Sequence, residues 1–178
     1  EETTPTSVPK SIRRKKPQTP IVLSPSSSRI CGFLESLDAK IIPDVYCHPD
    51  ARKFRNNFKL NRNELTNRLT KLYNEVVFNN RLGDVIVSWT KTLTRTAGVC
   101  KYRKRGAIHT CSVELSDKVL TQSDRLRDTL IHELCHAATW IFDKETGHGK
   151  FWKAWTKRAT QSLPELPEIE TCHNYEIQ

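Results

Sequence analysis

The run His132-Glu133-Leu134-Cys135-His136 constrains this chain more than any other stretch. It sets two histidines four residues apart with a glutamate beside the first. On an α-helix that spacing stacks the rings on one face, about one turn apart, where both imidazoles reach a single metal ion. Glu133 then stands where a carboxylate takes a proton from an attacking water. Together these residues point to zinc-dependent hydrolysis, most often of peptide bonds. A catalytic zinc site also needs a third protein ligand and keeps its fourth position open.

The surroundings of the motif read as a helix over residues 121–142. Thr121 and Asp124 form an S/T-x-x-D/E start signal. Leu126, Leu130, Leu134, Ala137, Ala138 and Ile141 recur at helical spacing and offer a buried stripe. The common extension that places Gly and His soon after the second histidine is absent, because Thr139 and Phe142 hold those positions. Glu145 is the nearest carboxylate but falls in a predicted turn. His148 is the stronger third ligand. It lies between Gly147 and Gly149 and opens a second helical stretch over residues 150–162; the glycines allow the chain to turn back and approach the metal. The reading is His132, His136 and His148 as ligands of one Zn2+ ion, with catalytic Glu133 as general base.

Composition sets the frame. The chain has 178 residues, 37% of them hydrophobic, which suits one modest domain with tails. Its net charge of +9 favours anionic partners, nucleic acid first. The six cysteines form no C-x-x-C pair, and Cys135 reads as a small buried filler. No signal peptide and no apolar run near the ~20 residues of a membrane span is visible. The expectation is an intracellular, reducing compartment with free thiols and no membrane contact. Cys100 and Cys111 can meet across a hairpin, with two reduced strand residues favoured over a disulfide.

Residues 1–30 are rich in Ser, Thr and Pro and are expected to be disordered, with a basic cluster at Arg13-Arg14-Lys15-Lys16. Residues 31–60 read as a connecting segment interrupted by Pro43 and Pro49, anchored by Phe54 and Phe58; His48 is given no metal role. A domain over residues 61–171 follows. Its first helix, over residues 61–78, stacks Leu65, Leu69, Leu72 and Val76 with Tyr73 beside them, and Leu82-Gly83-Asp84 breaks it. Strands are expected at residues 85–89, 99–103 and 108–115. The fold class is α+β: a small, mostly antiparallel three-stranded sheet packed against helices that include the H-E-x-x-H helix, a zincin-like metallopeptidase domain.

Two basic regions suit DNA. Lys101, Tyr102, Arg103, Lys104 and Arg105 form a protruding turn between strands, where cations meet phosphates and the tyrosine stacks on an unpaired base. Arg52, Lys53, Arg55, Lys59 and Arg62 form the second. Phe151, Trp152 and Trp155 follow the third ligand and read first as core packing near Trp140, secondly as a wall of the metal cleft.

These stretches resemble a known family. H-E-L-C-H-A-A-T-W followed by G-H-G-x-F-W is similar to the SprT-like zinc metallopeptidases, as are W-T-K-T-L-T-R-T-A-G-V-C from Trp89, V-E-L-S-D from Val113, D-R-L-R-D-T-L from Asp124, P-E-L-P from Pro164 and C-H-N-Y-E-I from Cys172. The resemblance implies a nuclear, chromosome-associated protease that cleaves proteins trapped on DNA, crosslinked ones included, and protects the genome in the germ line. It implies the same three histidine ligands and the same glutamate. It also implies a Cys-rich zinc ribbon after C-H-x-Y-E-I, so residues 172–178 are expected to begin a truncated ribbon with Cys172 an orphan ligand. The long acidic region of such proteins is not in this basic sequence. A monomer is expected. The alternatives are a non-catalytic DNA-binding module with structural zinc and a nuclear adaptor that recruits partners through its tail.

Overall fold

In a computed structural model of the chain, residues 30–83, 85–172 and 175 are described. The expectations for the N-terminal tail and for most of residues 172–178 lie outside them. Helices α1 (Pro49–Asn56), α2 (Phe58–Val76), α3 (Ser123–Ala138) and α4 (Lys150–Ser162) surround a sheet of β1 (Ile86–Thr90), β2 (Gly98–Arg105) and β3 (Ile108–Ser116). The class is α+β, as the sequence implies.

The H-E-x-x-H helix, α3, is the centre of the molecule. Thirteen of its sixteen residues are buried. An apolar stripe on one side understates that position: α2, α4, β2 and β3 all pack on it, so its polar residues are enclosed as well. Its start differs from expectation. Gln122, not Thr121, is the N-cap, and no side chain caps the helix. The Ser123 hydroxyl is committed elsewhere, donating to the Leu37 carbonyl at 2.7 Å. The far end widens into a π-turn, Thr139–Asp143, and Lys144 closes it in the left-handed region (φ 61°). Such turns recur near functional sites.

The sheet is mixed, in the order β1-β3-β2. The longer pairing, β2 with β3, is antiparallel; β1 pairs parallel with β3. The hairpin turns through Gly106-Ala107, with Gly106 at φ 58°, where a residue without Cβ is favoured. Central β3 buries Cys111, Val113 and Leu115. β2 is an edge strand, and this leaves its outer side free to meet α3 and the site.

On α2 the buried stripe is Leu65, Leu69, Tyr73 and Val77, with Leu72 only partly buried. The stripe sits one residue off the expected set because Tyr73 turns inward, its hydroxyl donating to the Arg127 carbonyl of α3 at 3.1 Å. Asn79 and Asn80, at φ 52° and 59°, end the helix before Gly83 is reached; asparagine tolerates that conformation. Arg158 of α4 then donates to the Val77 carbonyl at 2.7 Å, a cation on a helix C-terminus.

Residues 31–60 do more than connect. Leu34, Leu37, Cys47, Ala51, Phe54 and Phe58 belong to the same buried cluster as α3. Pro49 begins α1 rather than interrupting it, and the His48 ring caps that helix by accepting from the Asp50 N–H at 3.2 Å. That bond gives His48 a structural task.

Candidate metal centre

The four-residue spacing on α3 does what helical geometry demands. His132 and His136 project from one face, and the turn after the π-segment brings His148 to meet them. Gly147 supplies the bend at φ 78°. Gly149 does not need its freedom: it has φ −74°, and a Cβ there would meet nothing within 4 Å.

The three Nε2 atoms form a nearly equilateral triangle: 3.2 Å for His132–His136, 3.1 Å for His136–His148 and 3.3 Å for His132–His148. Two imidazole nitrogens bound tetrahedrally to one zinc at about 2.0–2.1 Å stand about 3.3 Å apart, so the spacing fits. The electrostatics agree. Burial and the neighbouring His148 push the pKa of His136 down to about 4, and burial lowers that of His148. Neutral rings with converging lone pairs repel one another unless a cation lies between them. His132 Nδ1 bonds the Glu170 carbonyl at 2.9 Å, which turns its Nε2 toward the triangle. His136 Nδ1 is buried and has no hydrogen-bond partner among the described residues. No fourth His, Cys, Asp or Glu joins the group among the described residues. Glu145 stands outside it and is exposed, as its place in a turn implies.

Glu133 points from the same helix into the same cleft, 5% exposed. Burial raises its pKa to about 7, partly offset by the Cys100 backbone beside it, which lowers it. The contact is close. A Cβ on Gly98 would lie 2.9 Å from Thr129 Cγ2 and 3.0 Å from Glu133 Cγ. The A-G-V-C glycine thus lets β2 lie directly on α3. The cleft, about 480 Å³, is lined by residues 95–100 and Tyr102 on one side, by Glu133 and the three histidines, and by Thr171 and Cys172 at the far rim.

The aromatic helix α4 divides its labour by residue. Trp152, 2% exposed, floors the triangle, with ring centroids 5.0, 5.6 and 4.6 Å from His132, His136 and His148. Trp155 instead packs on Phe78 and Phe142 and donates to Asp143. Packing and lining the metal cleft are therefore one role for Trp152. Trp140 sits apart, against Tyr102 and His109, donating to the Arg103 and Thr110 carbonyls.

The basic regions part company. Lys101 pairs with Glu114, and Tyr102 is half-buried against Trp140 on the cleft side instead of standing at the tip. Arg103, Lys104 and Arg105 are exposed and have no ion-pair partner among the described residues. In the second region Lys53 pairs with Glu64, Arg55 with Asp44 and Arg62 with Asp117. Cys172 is exposed, and its sulfur is not part of the histidine group.

Sequence reasoning had no view of the Glu170 carbonyl or the Cys100 backbone, because backbone groups carry no residue signature. Gly98 did carry one, a glycine directly before the strand expected at residues 99–103, and the structure makes it the first residue of β2.

Known proteins match this chain where the site lies. The profile of the SprT-like family matches residues 66–173. The germ cell nuclear acidic protein of Drosophila melanogaster is 48% identical over 92% of this chain and 16% of its own length. The human protein of that name is 37% identical over 68% of this chain and 18% of its own length. The DNA-dependent metalloprotease SPRTN of Xenopus tropicalis is 35% identical over 43% of this chain and 17% of its own. The chain thus spans less than a fifth of these relatives. With its motif helix, its third histidine and the family profile over most of the described domain, the chain belongs to the SprT-like family.

Proposed function

We propose that this chain is a zinc-dependent endopeptidase domain acting on proteins bound to DNA, DNA–protein crosslinks among its substrates, in the nucleus and on chromosomes of germ cells. It works as a monomer and contacts no membrane; no described helix is long and apolar enough to cross one. The observation that carries the reading is the triangle of Nε2 atoms 3.1–3.3 Å apart, with a buried carboxyl beside it in one cleft. Its three ligands are His132, His136 and His148. A zinc ion held there supplies Lewis acidity, polarising a scissile carbonyl and making water more acidic.

The chain's own residues do the rest. Glu133 takes the proton of the attacking water and passes it to the leaving amine. Its buried position keeps its pKa near 7, close to that of a good proton shuttle at neutral pH. The Glu170 carbonyl orients His132, and Trp152 excludes water beneath the rings. The outer edge of β2 pairs with no further strand among the described residues; its residues 98–100 and 102 line the cleft and offer their backbone to an extended peptide. Arg103, Lys104 and Arg105 attract the DNA that carries the substrate; Lys101 and Tyr102 support that hairpin from its base. The names of the relatives, germ cell nuclear acidic protein and DNA-dependent metalloprotease, support the setting. Cys172 is held for a zinc ribbon and not for the histidine site.

The test is incubation of a DNA-binding protein with the zinc-loaded chain, with and without DNA and chelator. Fragmentation that needs DNA and stops with chelator is expected, in this chain or in a longer one that carries the ribbon. Retained zinc and DNA binding without cleavage in both would favour the non-catalytic module.

A further inference from the structure

Two buried thiols, one of them in the cleft that holds Glu133, have no part in the chemistry above. Cys100 and Cys111 stand on neighbouring antiparallel strands, on the face packed against α3. Cys100 pairs with Val113, and Cys111 with Tyr102, so the two cysteines are diagonal neighbours. They are 7% and 6% exposed, and both are free. Each thiol is the largest influence on the other's proton affinity: the neighbouring sulfur pushes the Cys100 pKa up and that of Cys111 down.

We propose that Cys100 and Cys111 form a reversible disulfide under hydrogen peroxide, and that closing this bond displaces β2 and switches the site off. The chemistry balances with peroxide as oxidant. The Cys111 sulfur attacks one peroxide oxygen. An S–O bond forms, the O–O bond breaks, and the departing hydroxide takes the thiol proton as water. The Cys100 sulfur then attacks the Cys111 sulfenic sulfur. The S–S bond forms, the S–O bond breaks, and a second water leaves with the Cys100 proton. The thiols lose two electrons and two protons, and the peroxide gains them. A dithiol reductant reverses the bond by exchange.

Geometry makes this a switch and not a staple. Diagonal neighbours have α-carbons about 7–8 Å apart, whereas a relaxed disulfide spans about 4.4–6.8 Å. The strands must therefore draw together, and a strained disulfide is readily reduced. The displacement has nowhere to dissipate. Gly98 already sits against Thr129 and Glu133 with no room for a Cβ. Trp140 ties both strands farther up the hairpin through the Arg103 and Thr110 carbonyls. Cys100 and Glu133 line the same cleft, and the Cys100 backbone lowers the proton affinity of that carboxyl, so a shift of the strand changes the carboxyl's surroundings. The effect on activity rests on the hydrolase reading; the bond itself does not.

The zinc-loaded chain is treated with peroxide, its remaining thiols are alkylated, and its peptides are mapped by mass spectrometry. A Cys100–Cys111 crosslink that disappears on reduction is expected, with faster amide hydrogen exchange along β2. Peptide cleavage is expected to fall roughly tenfold to a hundredfold and to return on reduction. Cys111→Ser keeps the side chain's size, lies outside the cleft, and is expected to cleave normally and ignore peroxide. Cys111→Ala serves the same purpose if the serine variant fails to fold. Oxidation that stops at separate sulfur acids, joins Cys100 to Cys172 or links two molecules overturns the proposal. So does a mapped crosslink that leaves β2 exchange unchanged. A crosslink with altered exchange in a chain that never cleaves peptides, even reduced, keeps the switch and sinks the hydrolase.

Discussion

The inner face of α3 and the tip of the β2–β3 hairpin are both rich in ionisable groups, and they treat them in opposite ways. On α3, His132, Glu133 and His136 are 4%, 5% and 8% exposed; the Glu170 carbonyl holds His132, and an indole floors the imidazoles. At the hairpin, Arg103, Lys104 and Arg105 stand in water with no ion-pair partner among the described residues. Burial moves proton affinities and fixes positions, which chemistry needs. Exposure keeps charges solvated and available to phosphates, which binding needs. Most α1–α2 cations show a third treatment: Lys53, Arg55, Arg62 and Arg68 are exposed or buried, but spent on carboxylates within the fold.

The sharpest way to break that contrast is on α3. Glu133→Gln is expected to keep zinc, measured by metal analysis, and to lose peptide cleavage by about a thousandfold or more. Full activity in that variant would remove the general base from the account.

The second test uses pH without metal. The Glu133 carboxyl has its pKa raised by burial from 4.5 to about 7. The folded chain therefore holds that proton more tightly than the unfolded chain. The cost to stability is absent below about 4.5 and complete above about 7. In chelator, Glu133→Gln is expected to be more stable than the natural chain by a margin that opens across this window to about 3 kcal/mol. The lowered His136 pKa works in the other direction but is common to both proteins. Denaturant titrations at several pH values measure the margin; a flat difference would deny the burial of Glu133.

Replacing Arg103, Lys104 and Arg105 by alanine is expected to weaken single-stranded DNA binding roughly tenfold or more. The slope of log affinity against log salt should fall by about two, with stability nearly unchanged. Arg55→Ala is expected to do the reverse. Its side chain is 4% exposed and bonds Asp44 and the Ser36 carbonyl. Its loss should cost about 1–3 kcal/mol in denaturation and leave the salt slope alone. If Arg55 sets the slope, the assignment of the two regions is reversed.

The smallest effect belongs to Thr121. Since Gln122 is the N-cap of α3, Thr121→Ala should change stability by less than about 0.5 kcal/mol, against about 1 kcal/mol for a true cap.

That last case shows where sequence was legible. Periodicity found α2, α3, α4 and the three strands because each element's pattern is local. The histidine triangle was readable because helical spacing and a glycine turn leave few other arrangements. The Thr121 signal failed because the neighbouring Ser123 spends its hydroxyl on Leu37, far away in sequence. The parallel pairing of β1 with β3 and the contribution of residues 31–60 to the core depend on contacts across the whole chain. The shift of the α2 stripe has the same origin, in the reach of Tyr73 to Arg127.

X-ray absorption at the zinc edge of the metal-loaded chain tests the centre most directly. Three imidazole nitrogens and one light oxygen at about 2.0–2.1 Å are expected, with the imidazole signal reduced by one in His148→Ala. A sulfur neighbour at about 2.3 Å, as Cys172 or another thiol would give, or a shell unchanged by loss of His148, would contradict it.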